Sequence, residues 1–90
     1  ISLDNFKFVK TLSINEILEN FKKIDFIKID IEGHEYKILP EIIKNISKID
    51  LIFCEMHGSS PGHRDEFRDD FFKFDKIIKE KNLSNKIIYW

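Results

Sequence analysis

The spacing of apolar residues along this chain changes several times, and each change predicts an element. Residues 6–12, FKFVKTL, alternate apolar and polar at period two and read as a strand. SINE then predicts a helix start, with Ser13 as N-cap and Glu16 three residues on, the two halves of a capping box. Ile14, Ile17, Leu18 and Phe21 follow on one helical face. Residues 24–31, IDFIKIDI, are rich in β-branched and aromatic residues and apolar on both parities, which predicts a central parallel strand covered on both faces. A helix is predicted over 34–46, with Leu39, Ile42, Ile43 and Ile46 on one face. Pro40 there marks either a kink or the start of a second helix. Residues 50–57, DLIFCEMH, read as the next strand, and GSSPG (58–62) as a loop. From Asp65 to about Lys81 a longer helix carries Phe67, Phe71, Phe74 and Ile78 at helical spacing, with Phe72 and Ile77 widening the stripe. NLSN punctuates, and KIIYW closes as a strand. There is no internal repeat.

Strands alternating with helices predict βαβ units: a mainly parallel sheet covered by helices, with right-handed crossovers. In such sheets ligands bind beyond the carboxyl ends of the strands. Composition adds exclusions. Ninety residues make one domain or part of one, and 42% apolar content is that of a globular chain. A net charge of −1 gives no reason to expect nucleic acid or an anionic membrane as partner. No apolar run approaches the ~20 residues of a membrane span, and no signal-peptide pattern is visible, so a cytoplasmic protein is expected. The single Cys54 excludes an internal disulfide and a multi-cysteine zinc site. The chain opens Ile-Ser-Leu-Asp and its only methionine is Met56, so a segment of a longer protein is expected.

The chemistry gathers where the apolar runs end. Side chains alternate along a strand, so Ile24, Phe26, Lys28 and Asp30 share a face, as do Leu51, Phe53, Glu55 and His57. If the two strands are neighbours, Asp30 and Glu32 come close to Glu55 and His57. An Asp or His there can act as general base toward a hydroxyl, and carboxylates with a histidine can hold a divalent metal that acidifies it. Acids at strand ends also cap the next helix, and for Asp30 and Glu32 that reading stays open beside the functional one.

TLSINEIL, IDFIKIDIEGHEYKILPEI and IDLIFCEMHG together resemble the FkbM family of S-adenosylmethionine-dependent methyltransferases, over about residues 9–58. Asp25, Lys28, Asp30, Glu32, Gly33 and Glu35 fall where the family pattern wants them, and Glu55 and His57 match its second strand end. Ser13 stands where the family commonly has Asp, and Pro40 where its helix usually continues. The resemblance implies a partial class I, Rossmann-like methyltransferase sheet, with residues 1–90 as the C-terminal part of one domain. The cofactor-binding residues would lie mostly upstream of Ile1. It further implies S-adenosylmethionine as cofactor and transfer of methyl to an oxygen of a sugar, lipid or secondary metabolite, a small-molecule or glycan acceptor. Asp30 is expected nearest the transferred methyl, as base or metal ligand, Glu32 as its partner, and His57 as the alternative base. Asp30, Glu32, Glu55 and His57 are the candidate ligands of a divalent metal such as Mg. Oligomeric state is left open.

Two other readings use the same residues: a metal-dependent hydrolase or phosphotransfer domain, and a non-catalytic methyltransferase-like binding domain. Among the remaining residues, Lys28 is expected to pair with a rim acid or to snorkel, and Gly33 to permit a tight turn. His34 is expected in solvent, Tyr36 in packing and Cys54 as a buried thiol. The loop HGSSPGHRDEF is long enough to fold over a substrate, with Glu55, His63 and Arg64 as candidate contacts.

Overall fold

The computed structural model describes residues 2–4 and 14–90. One sheet contains β1 (Ser2–Asp4), β2 (Ile24–Asp30), β3 (Ile49–Cys54) and β4 (Ile87–Tyr89), in chain order, with every neighbouring pair parallel. The connections carry α1 (Ile14–Glu19), α2 (Glu35–Lys44) and α3 (Arg68–Glu80), with single turns of 3-10 helix at Ile46–Lys48 and Asp65–Phe67. The strand predicted over 6–12 and the Ser13 half of the capping box lie outside the described residues. β1 has no counterpart among the predicted strands.

Chain-order pairing has a geometric consequence. Right-handed crossovers taken one after another in one direction place every helix on the same side of the sheet. Burial follows that rule. Ile27, Ile29, Ile52, Cys54 and Ile87 face the helices and are buried with Leu18, Leu39, Ile42, Phe74 and Ile78. The shortest dimension of the molecule is 15 Å, room for one sheet and one helical layer.

The opposite face carries Phe26, Lys28, Asp30 and Ile88, all exposed. This corrects the expectation that β2 is covered on both sides. Phe26 is 49% exposed and meets Phe53 edge-on, with ring centroids 6.3 Å apart. Apolar residues on both parities cannot distinguish a doubly covered strand from one with aromatics on its second face.

Three helix expectations also change. α1 ends at Glu19, so Phe21 lies beyond it and is exposed. α2 runs unbroken through Pro40, and no second helix begins there. Ile38, Leu39 and Ile42 are buried on one side while Pro40 is exposed, so packing of that face carries the helix past the missing N–H. On α3, Phe74 and Ile78 are buried but Phe72 is exposed, making the apolar stripe narrower than predicted. Phe67 belongs to the preceding 3-10 turn.

Candidate active site

The register of β2 and β3 sets the first pair. Lys28 lies opposite Phe53 and Ile29 opposite Cys54, so the next step brings Asp30 beside Glu55 at the carboxyl edge. The Glu55 N–H donates to the Ile29 carbonyl at 3.1 Å, carrying the ladder one residue past β3. Glu55 holds its proton more tightly than an ordinary carboxyl. Partial burial is the largest cause, followed by the hydrogen bond to and the charge of Asp30; Glu32 adds to the effect and His57 opposes it.

The turn after β2 supplies the second arrangement. Glu32 and Gly33 are both left-handed, with φ of 53° and 96°. A Cβ on Gly33 would fall 2.2 Å from the Phe67 ring, so the position needs glycine for space as well as for conformation. The turn opens α2, whose first residue, Glu35, is fully buried. Its Oε1 accepts the Gly33 N–H at 2.8 Å, and its Oε2 accepts the His57 N–H at 3.0 Å. His57 Nδ1 lies 3.0 Å from Oε2 and 3.2 Å from Oε1. The next residue, Tyr36, donates its hydroxyl to the His57 carbonyl. Two successive residues of α2 thus hold the backbone and the ring of His57. The Phe67 ring stands edge-on to His57 with centroids 6.3 Å apart.

Beyond β3 the chain encloses a cavity of about 200 Å³ lined by Glu55, His57, Ser59, Ser60, His63 and Trp90 among others. Three of the sequence candidates, Glu55, His57 and His63, therefore share one hollow, with Asp30 beside Glu55. β3 ends at Cys54, so strand alternation does not place His57; the turn and Glu35 do. Glu32 is exposed to one side, its Oε2 4.0 Å from His57 Nε2. Arg64 does not line the cavity. Its Nε donates to Glu66 at 2.6 Å, its NH1 reaches Glu32 at 3.4 Å, and its guanidinium lies 5.0 Å from the Phe67 ring centre. Lys28 is exposed, and no acid among the described residues pairs with it. His34 is exposed and Cys54 buried, as expected.

Among the described residues no three His, Cys, Asp or Glu side chains come together to hold a metal ion. Asp30, Glu32, Glu55 and His57 are not assembled as one ligand set. S-adenosylmethionine is likewise not fitted by these residues alone. Gly33 and Gly58 are both filled from behind by Phe67, so neither offers an open backbone cradle. The cavity is also smaller than the roughly 300–1,000 Å³ of a typical small-molecule site.

Sequence reasoning left three residues of this arrangement without their roles. Glu35 was matched only to a pattern, Tyr36 was assigned to packing, and Phe67 to the helical stripe. A glycine two residues before an acid at a helix start is a visible signal for Glu35, because that spacing lets the carboxylate accept the glycine N–H. Burial of the acid against a histidine 22 residues away is not visible.

A parallel sheet with helices in its connections is a partial Rossmann-like α/β fold, in which ligands bind at the carboxyl edge. The sequence model of the Methyltransferase FkbM domain matches residues 3–82, and the chain belongs to this family of methyltransferase domains. Nothing among curated proteins or solved structures matches the chain significantly. No helix among the described residues is long and apolar enough to cross a membrane.

Proposed function

We propose that this chain forms the acceptor side of an S-adenosylmethionine-dependent methyltransferase that methylates a hydroxyl of a small molecule or glycan. In this reading residues 1–90 are the C-terminal part of one methyltransferase domain. The observation that carries it is that Glu55 and His57 line one small cavity at the carboxyl edge of the sheet, with Asp30 beside Glu55 in the neighbouring strand. A hydroxyl seated there meets a carboxylate acceptor, a carboxyl that can donate or accept, and an imidazole.

The residues of this chain have two tasks. Asp30 and Glu55 orient the hydroxyl by hydrogen bonds, which fixes the direction of its lone pair. His57 Nε2 takes the hydroxyl proton as the oxygen attacks, and the bonding pair stays on the oxygen. S-adenosylmethionine supplies the methyl electrophile. Glu32, exposed and 4.0 Å from His57 Nε2, is the nearby carboxylate that can take the proton on to solvent.

Transfer of isotope label from S-adenosylmethionine by the full-length protein, offered a panel of hydroxylated acceptors, tests the reading. Asp30→Ala is expected to lower the rate by about 10²-fold. Undiminished transfer in that variant removes Asp30 from the reaction.

A further inference from the structure

Glu35 is the only carboxylate among the described residues that is completely buried, and its partners make it more than a filler. An ionised carboxylate can accept hydrogen bonds but cannot donate them. Both Glu35 oxygens already accept a backbone N–H, and His57 Nδ1 lies within hydrogen-bond distance of both, an arrangement that suits Nδ1 as a third donor. A neutral imidazole carries one N–H, and Nε2 is then left with a lone pair. The ring lines the cavity, with Nε2 on the side of Glu32 rather than Glu35. The His57 N–H to Oε2 and the Tyr36 hydroxyl to the His57 carbonyl hold the backbone of His57. The ring, 7% exposed and bordered by Phe67, has little room to flip.

We propose that Glu35 is a positioning residue: it holds His57 as the Nδ1–H tautomer, which leaves the lone pair on Nε2, the ring nitrogen turned away from Glu35, so that Nε2 rather than Nδ1 receives the acceptor's proton. The proposal rests on the reading of His57 as proton acceptor given above. When the proton arrives, the hydroxyl O–H bond breaks with its electron pair left on oxygen, and the N–H bond forms from the Nε2 lone pair. The resulting imidazolium keeps its Nδ1–H on Glu35, whose negative charge offsets the new positive one.

The test is nitrogen-15 NMR of the full-length protein with labelled histidine, at mildly alkaline pH. His57 is assigned by the loss of its signals in His57→Gln. The expected wild-type spectrum shows a protonated, pyrrole-type Nδ1 and an unprotonated, pyridine-type Nε2 for His57. In Glu35→Gln that preference is expected to be lost, with both tautomers populated. A wild-type His57 protonated on Nε2, or a folded Glu35→Gln protein with the wild-type preference intact, overturns the proposal. If Glu35→Gln does not fold, the wild-type spectrum decides alone. These signals do not depend on turnover, whereas absence of label transfer from S-adenosylmethionine would strike the methyl-transfer reading itself.

Discussion

Glu35 Oε2 lies 3.0 Å from the backbone nitrogen of His57 and 3.0 Å from its Nδ1, so one buried carboxylate sets both the path of the chain after β3 and the orientation of the ring. Removing it leaves the Gly33 and His57 N–H groups without their acceptor in a buried place. Each unsatisfied group costs on the order of 1–3 kcal/mol. Glu35→Ala is therefore expected to destabilise the fold by about 3 kcal/mol or more. A urea midpoint shift at constant slope measures it, and Glu35→Gln, which keeps one acceptor, is expected to cost less.

Gly33 is confined by two independent causes, its φ of 96° and the Phe67 ring beneath it. An alanine there is strained by about 1–3 kcal/mol in backbone, and overpacking adds a comparable amount. Gly33→Ala is expected to lower stability by about 2 kcal/mol or more. Phe67→Leu in the same chain is expected to recover only part of that loss, because it relieves the contact and not the φ. Full recovery in the double variant would assign the whole cost to the ring.

Glu55 gives a pH dependence whose sign can be worked out. Burial and Asp30 raise its proton affinity in the fold above the ordinary carboxyl value of 4.5. Between that value and the raised one the folded state binds more protons than the unfolded chain. Stability from this group is then lost as pH rises through the window. Asp75 acts in the opposite sense. The Tyr89 hydroxyl is the largest cause holding its carboxyl below the ordinary range; burial opposes it, Lys79 adds to the lowering, and the contribution of Asp75 is lost as pH falls. Glu55→Gln isolates the first effect: relative to wild type, the variant is expected to gain stability progressively as pH rises above about 4.5. A difference that stays flat across that range would contradict the raised proton affinity of Glu55 in the fold.

The sequence made the Asp30–Glu55 pair legible because parallel neighbours and alternation suffice to derive it. The register of Lys28 against Phe53 then brings the two acids together. Alternation stops at Cys54, however, and His57 lies past it, so its placement depends on a contact between residues 22 apart. The open sheet face was hidden for a different reason: Phe26 and Phe53 look like core by composition, and only the one-sided order of crossovers leaves them facing outward. The pairing of Arg64 with Glu66 and Glu32 follows from loop geometry that no local pattern encodes.

Turnover of His57→Gln beside wild type tests the central claim most directly. The measurement is initial rates of label transfer from S-adenosylmethionine by the full-length protein across acceptor concentrations. Loss of the proton acceptor predicts a kcat lower by about 10²–10⁴-fold with KM for the acceptor little changed. An unchanged kcat in a folded His57→Gln protein would contradict the account.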